Sequence, residues 1–162
     1  MRHPADDAPG PTLAFRRARA EDVGRVMEIE KDGFKHPWSR ELIERELGHA
    51  WSQLLLACEV GTAGEECVVG YIVFWLVHDE IHVLNVATAL ESRRRGIGRA
   101  LMEAAEGAGR TRGARLSTLE VRRSNEAAIE LYRAIGYRQV GMRPRYYAEE
   151  NEDALLMSMD LA

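Results

Sequence analysis

Arg93, Arg94 and Arg95 stand directly ahead of Gly96 and Gly98 in the stretch RRRGIGRALM. A strand-like run, Ile81 to Ala89, precedes them and a helix-like run follows. The first turn of a helix has backbone N–H groups with no partner inside the helix, and it carries partial positive charge. Glycines let an anion approach that backbone, and Arg99 adds a further positive charge. The segment therefore predicts a pyrophosphate-type anion site, with a turn bearing a solvated basic face as the plainer alternative. GIGRAL lacks the third glycine of a dinucleotide fingerprint, and no Gly-Lys-Ser/Thr follows to make a P-loop.

Two further side chains have types suited to proton transfer. Glu120 lies in LSTLEV, a strand-like run in which Leu116, Thr118 and Glu120 share one face. A carboxylate on a buried strand is costly unless paired or used. Burial would raise its pKa and make it a better base near neutrality. An exposed glutamate, or one paired with Arg122, fits the pattern about as well. Tyr132 falls on a helical face in ELYRAIGY, either as a packed amphipathic aromatic or as a proton donor. Asn125 follows Ser124, which reads as a helix cap.

The elements that must position these groups follow from periodicity and punctuation. Thr12 to Arg19 reads as a strand and Ala20 to Phe34 as a helix ended by His36-Pro37-Trp38. Ser39 is set to cap a second helix, Arg40 to Leu47. Leu54 to Val60 and Cys67 to Val77 read as strands joined by a glycine turn. After the strand Ile81 to Ala89, a third helix runs from Gly96 to Arg112. Leu116 to Val121 is a strand. Ser124 caps a fourth helix ended by Gly136, and Tyr137 to Arg143 and Ala154 to Leu161 close the chain. The order β-αα-βββ-α-β-α-ββ lacks steady βα alternation. It predicts an α+β (α/β) domain with a mixed, mostly antiparallel sheet and helices on both faces.

Arg93-x-x-Gly96-x-Gly98 after a strand resembles the acetyl-CoA loop of the GNAT acetyltransferases. LEVRRSNEAAIELYRAIGY, Leu119 to Tyr137, is similar to the second half of that superfamily. GFKHPWS, Gly33 to Ser39, and RPRYYAEENEDALLMSMDL, Arg143 to Leu161, look like the RimI-type ribosomal-protein alanine N-acetyltransferases within it. The likeness covers residues 12 to 161.

The resemblance implies a GNAT domain over 12–162, with a sheet splayed between the fourth and fifth strands to admit acetyl-CoA. It implies Glu120 as general base and Tyr132 as general acid. Arg93, Arg94, Arg95, Gly96, Ile97, Gly98 and Arg99 would cradle the donor's pyrophosphate, and Asn125 would contact its pantetheine or phosphate part. Val86, Ala87 and Thr88 would offer backbone N–H groups to the acetyl carbonyl and pantetheine amides. In place of the family's Val followed by Asp or His before a Pro, this chain has VATALESRRRG.

His36, Trp38, Tyr146 and Tyr147 would rim the acceptor side, although Trp38 also suits a hydrophobic staple beside Ser39. Tyr146 and Tyr147 are expected in a loop between the last strands; two adjacent aromatics cannot both face inward on a strand, which leaves one to close over the acceptor's terminus. The implied acceptor is the N-terminal alanine of a small-subunit ribosomal protein. Rival readings are a lysine side chain, a small-molecule amine or a non-catalytic acetyl-CoA-binding module. No metal is expected.

Size and charge agree with these expectations. The chain has 162 residues, enough for one domain with a real core. Residues 21–80 hold five Lys/Arg against thirteen Asp/Glu, and residues 93–145 hold thirteen Arg against five Glu. The basic half suits a polyanion such as coenzyme A and the acidic half a cationic acceptor. Tyr132 and Tyr137 sit at core-like positions, which disfavours a nucleic-acid stacking platform. No apolar run is long enough to span a membrane, and a cytoplasmic location is expected. MRHPADDAPGP reads as a disordered lead, and Cys58 and Cys67 as reduced, buried thiols.

Overall fold

The computed structural model describes residues 12–162; the expected disordered lead lies outside the described residues. Each helix forms where an apolar stripe and a terminator coincide. α1 (Val23–Gly33) buries Val23, Val26 and Ile29. A 3-10 turn, Ala20–Asp22, stands where the helix was expected to begin. There Asp22 is held by two bonds from the Arg16 guanidinium and one from the Arg19 N–H. α2 (Arg40–Gly48) is capped by Ser39, which accepts the Leu42 N–H at 3.2 Å.

The strands are β1 (Thr12–Arg17), β2 (Ser52–Val60), β3 (Glu66–Val77), β4 (Glu80–Thr88), β5 (Leu116–Arg122), β6 (Arg138–Tyr147) and β7 (Glu152–Asp160). They form one sheet in the order β1-β2-β3-β4-β5-β7-β6. Only β4 and β5 pair in parallel. α3 (Ile97–Thr111) and α4 (Glu126–Ile135) complete the domain. One apolar cluster joins the sheet to α3 and α4, the other joins it to α1 and α2, so the helices cover both faces as expected. Leu101 of α3 is fully buried, worth about 2 kcal/mol of transfer free energy.

Three local expectations need correction. Asn125, not Ser124, caps α4: its Oδ1 accepts the Ala128 N–H at 3.2 Å, while the Ser124 N–H donates to Glu152 across the sheet. β6 continues through Pro144 to Tyr147, so Tyr146 and Tyr147 end a strand instead of lying in a loop. Proline is tolerated because β6 is an edge strand. Both thiols are free, but only Cys58 is buried. Cys67 pairs with Glu59 and Cys58 with Val68. Side chains alternate along a ladder, which sends the two sulfurs to opposite faces.

Candidate active site

The parallel ladder between β4 and β5 is short. It runs from Glu80 opposite Leu116 to Val83 opposite Leu119 and stops. Opposite β3, Val73 pairs with Asn85 and Phe74 with Val83, so Leu84 is an extra residue on β4. Such a bulge bends and twists its strand. β5 instead continues along β7, with Glu120 opposite Leu156. Between the diverging strands opens a cleft of about 660 Å³.

One end of the cleft is built for an anion. Arg94 and Gly96 both have left-handed backbone, with φ of 62° and 75°. This turn delivers the chain into α3 with no side chain capping the helix start. The first-turn N–H groups are left free to meet a ligand. Arg93, Arg94, Gly96, Ile97, Gly98 and Arg99 all line the cleft. Arg95 does not; it turns to Glu59 of β2. Val86, Ala87 and Thr88 form the facing wall. The Ala89 N–H bonds the Val69 carbonyl of β3 at 2.8 Å. Donors alternate along a strand, which turns the Val86 and Thr88 N–H groups toward the gap.

At the point of divergence stands Glu120, its side chain only 11% exposed. Its Oε2 meets His82 Nε2 at 2.9 Å and its Oε1 faces Arg143 at 3.5 Å. Arg122 bonds Glu150 at 2.7 Å instead. Tyr132 lines the same cleft from α4. Burial pushes its phenol up to about 12, with nearby Tyr147 adding to the shift. Asn125 also lines the cleft, with its side chain committed to the helix cap.

The far rim joins two loops. His36, Trp38 and Tyr147 line the cleft, whereas Tyr146 lies outside it and is 49% exposed. The Arg122 guanidinium sits 3.9 Å above the Tyr147 ring. His36 Nδ1 meets Glu149 at 2.9 Å and its Nε2 meets Glu150. The two ring nitrogens address different carboxylates, which ties the loop after α1 to the turn after β6. Trp38 packs on the cluster that contains Ile43, consistent with a staple.

The model of the acetyltransferase (GNAT) family matches residues 23–137, most of the chain. The chain belongs to the GNAT acetyltransferase family. A candidate ribosomal protein bS18-alanine N-acetyltransferase of Bacillus subtilis is 34% identical over 149 residues, covering 89% of this chain and 93% of its own. The ribosomal protein bS18-alanine N-acetyltransferase of Salmonella typhimurium is 31% identical over 143 residues, covering 87% and 93%. The crystal structure of the ribosomal-protein-S18-alanine N-acetyltransferase from Escherichia coli has a TM-score of 0.82 and 25% identity, over 93% of this chain and 95% of that one. Arabidopsis thaliana NAA60 in complex with acetyl-CoA shares the fold, at a TM-score of 0.81 and 19% identity over 92% of this chain and 99% of that one. This GNAT protein is an acetyl-CoA-dependent N-acetyltransferase.

Three residues of the acetyltransferase's site were not singled out from its sequence. Glu30 of α1 lines the cleft yet is 1% exposed. It accepts bonds from the Trp38 N–H at 2.9 Å, from Asn85 at 2.8 Å and from the Tyr71 hydroxyl. Burial pushes its pKa up against the lowering effect of the bonds from Trp38 and Asn85. His82 and Arg143 flank Glu120. A signal for Glu30 was present: it follows the buried Ile29, where a charge off the polar stripe calls for a partner.

Proposed function

We propose that this enzyme acetylates the N-terminal α-amine of a protein, with the alanine that begins a small-subunit ribosomal protein as acceptor, in the cytoplasm. The observation that carries this reading is the placing of Glu120. A nearly enclosed carboxylate stands where the sheet parts, in the same cleft as an uncapped helix start with three arginines. The relatives' acceptors support the choice of substrate. Among the described residues, no helix is long and apolar enough to cross a membrane.

In this reading the residues divide the work. Arg93, Arg94, Arg99 and the start of α3 hold the donor's pyrophosphate. Val86 and Thr88 offer N–H groups to its acetyl carbonyl and amide chain. Glu120 takes a proton from the acceptor ammonium, directly or through one water. An α-amine has a pKa of about 7.7–8.0 against about 10.4 for lysine, so deprotonation at pH 7 costs roughly 1.4 kcal/mol. One carboxylate suffices for that. The freed lone pair attacks the thioester carbon, and the carbon–sulfur bond then breaks.

Tyr132 faces the departing sulfur. A thiol of about 8.5 is more acidic than the Tyr132 phenol at about 12. Tyr132 therefore donates a hydrogen bond to the thiolate and keeps its proton. The second proton lost by nitrogen ends on sulfur. His36, Trp38 and Tyr147 form the wall against which the acceptor's first residues lie.

The test is thiol release from acetyl-CoA with two peptides. One copies an alanine-starting ribosomal-protein terminus, and the other is N-terminally blocked and contains lysine. Turnover of the first alone, with mass spectrometry placing one acetyl on the α-amine, is the expected result. Turnover of the blocked peptide alone would move the acceptor to lysine.

A further inference from the structure

Acetylation of an ammonium leaves a charge and a proton to manage. The nitrogen loses two protons in becoming an amide; sulfur keeps one and the base must pass on the other. Glu120 can do this only if its carboxylate is held at the split between the strands. His82 is the group placed to hold it.

His82 lies on β4 opposite Thr118, one pair before the parallel ladder ends. Its Nε2 is 2.9 Å from Glu120 Oε2. A contact of that length needs a proton between nitrogen and oxygen, so the ring donates from Nε2 to the carboxylate. The ring edge packs against Trp75, with centroids 6.1 Å apart and planes at 76°. Trp75 is itself anchored by donating to Glu46 of α2 at 2.8 Å. The imidazole is therefore held in place while its side chain remains 36% exposed to solvent. It does not line the cleft, whereas Glu120 does. His82 thus meets the reaction through Glu120.

We infer that His82 is the positioning residue for Glu120: its Nε2–H holds the carboxylate where the strands part, facing the cleft. This rests on the reading of Glu120 as general base. The other charged or titratable groups facing the pair are Arg143 and Tyr147 of β6, with Glu46 behind Trp75. Arg143 meets the other carboxylate oxygen only at 3.5 Å, so the 2.9 Å bond from His82 is the one that fixes the carboxylate.

The experiment compares the full-length parent, His82→Ala and His82→Gln for acetyl transfer across pH 5.5 to 9 on one peptide. His82→Ala is expected to lower kcat about tenfold to a hundredfold with the KM for acetyl-CoA unchanged. Glutamine keeps an N–H donor, so His82→Gln should recover most of the rate. A parent-like kcat in His82→Ala would overturn the inference, as would a His82→Gln variant as slow as His82→Ala. If the parent acetylates only the blocked lysine peptide, the α-amine assignment fails, and the His82 comparison is read on that peptide instead.

Discussion

Glu30 accepts the backbone N–H of Trp38 at 2.9 Å, so a fully buried carboxylate on α1 pins the loop that forms the acceptor rim. The same carboxylate receives Asn85, beside the bulge in β4. One side chain thereby holds rim and cleft wall in register. Glu30→Ala would leave several buried donors unpaired and should cost about 2–4 kcal/mol in chemical denaturation. Glu30→Gln should cost less. The pH dependence has a definite sign. Burial raises the folded-state pKa of Glu30 above its unfolded value. Its favourable contribution is complete below the unfolded value and declines as pH rises through the folded one. The parent should therefore lose stability relative to Glu30→Gln as pH rises above about 4.5.

Glu120→Gln separates an enzyme from a binding module. Glutamine can still accept the His82 bond, so the fold and the donor site should survive. Turnover should fall by about 10²–10⁴, with acetyl-CoA affinity within a factor of about two by calorimetry. A protein that acts only by binding acetyl-CoA has no rate to lose, and this substitution would leave its output unchanged.

What was legible in the chain was mainly what is local. Gly96 and Gly98 at the head of a helical stripe announce a helix start open to an anion; the structure adds that the turn is left-handed and the helix uncapped. Ser39 marks its own helix, and its bond to Leu42 closes within four residues. The partners of Glu30 lie 8, 41 and 55 residues away, and His82 is 38 residues from Glu120. No periodicity encodes such pairs; Tyr71 and Asn85 reach Glu30 only once α1 lies on β3 and β4, and His82 reaches Glu120 only once β4 and β5 are side by side. Arg95 illustrates the converse. Its type and place match Arg93 and Arg94, but Glu59 of β2 draws it out of the cleft. Strand β6 runs on through Pro144 because it is an edge, a fact of topology that the local residues do not reveal.

The two glycines of the anion end should fail for different reasons. At Gly96 a Cβ meets nothing within 4 Å, but φ is +75°. Gly96→Ala should lose about 1–2 kcal/mol of stability through backbone strain. At Gly98 a Cβ would sit 3.6 Å from Leu131 and 3.9 Å from Thr88, ordinary contacts in a helix. Gly98→Ala should fold as well as the parent or slightly better, since alanine favours a helix by about 1 kcal/mol. Its methyl would instead occupy the approach of an anion to the first-turn N–H groups. The expected result is an unchanged or higher Tm together with acetyl-CoA binding weakened by about tenfold or more, roughly the loss of one charge-assisted hydrogen bond.

Tyr132→Phe tests whether the buried phenol serves the sulfur or merely packs. Among the described residues its hydroxyl has no hydrogen-bond partner, and its ring rests 5.9 Å from that of Tyr137. Phenylalanine preserves that packing, so stability at pH 7 should change by no more than about 0.5–1 kcal/mol. Turnover should fall by about tenfold to a thousandfold through loss of the hydrogen bond to the leaving thiolate. The two roles also part at alkaline pH. Burial lifts the phenol to about 12, above the unfolded value of 10. A raised pKa contributes stability that is complete below pH 10 and is lost as pH climbs toward 12. The variant lacks this group and escapes its share of the loss, about 2–3 kcal/mol over that interval. Denaturation of parent and variant between pH 8 and 12 should show the parent falling away from the variant above pH 10. If the curves stay parallel while turnover collapses, the hydroxyl is solvated in the free enzyme, and the sulfur must desolvate it on binding.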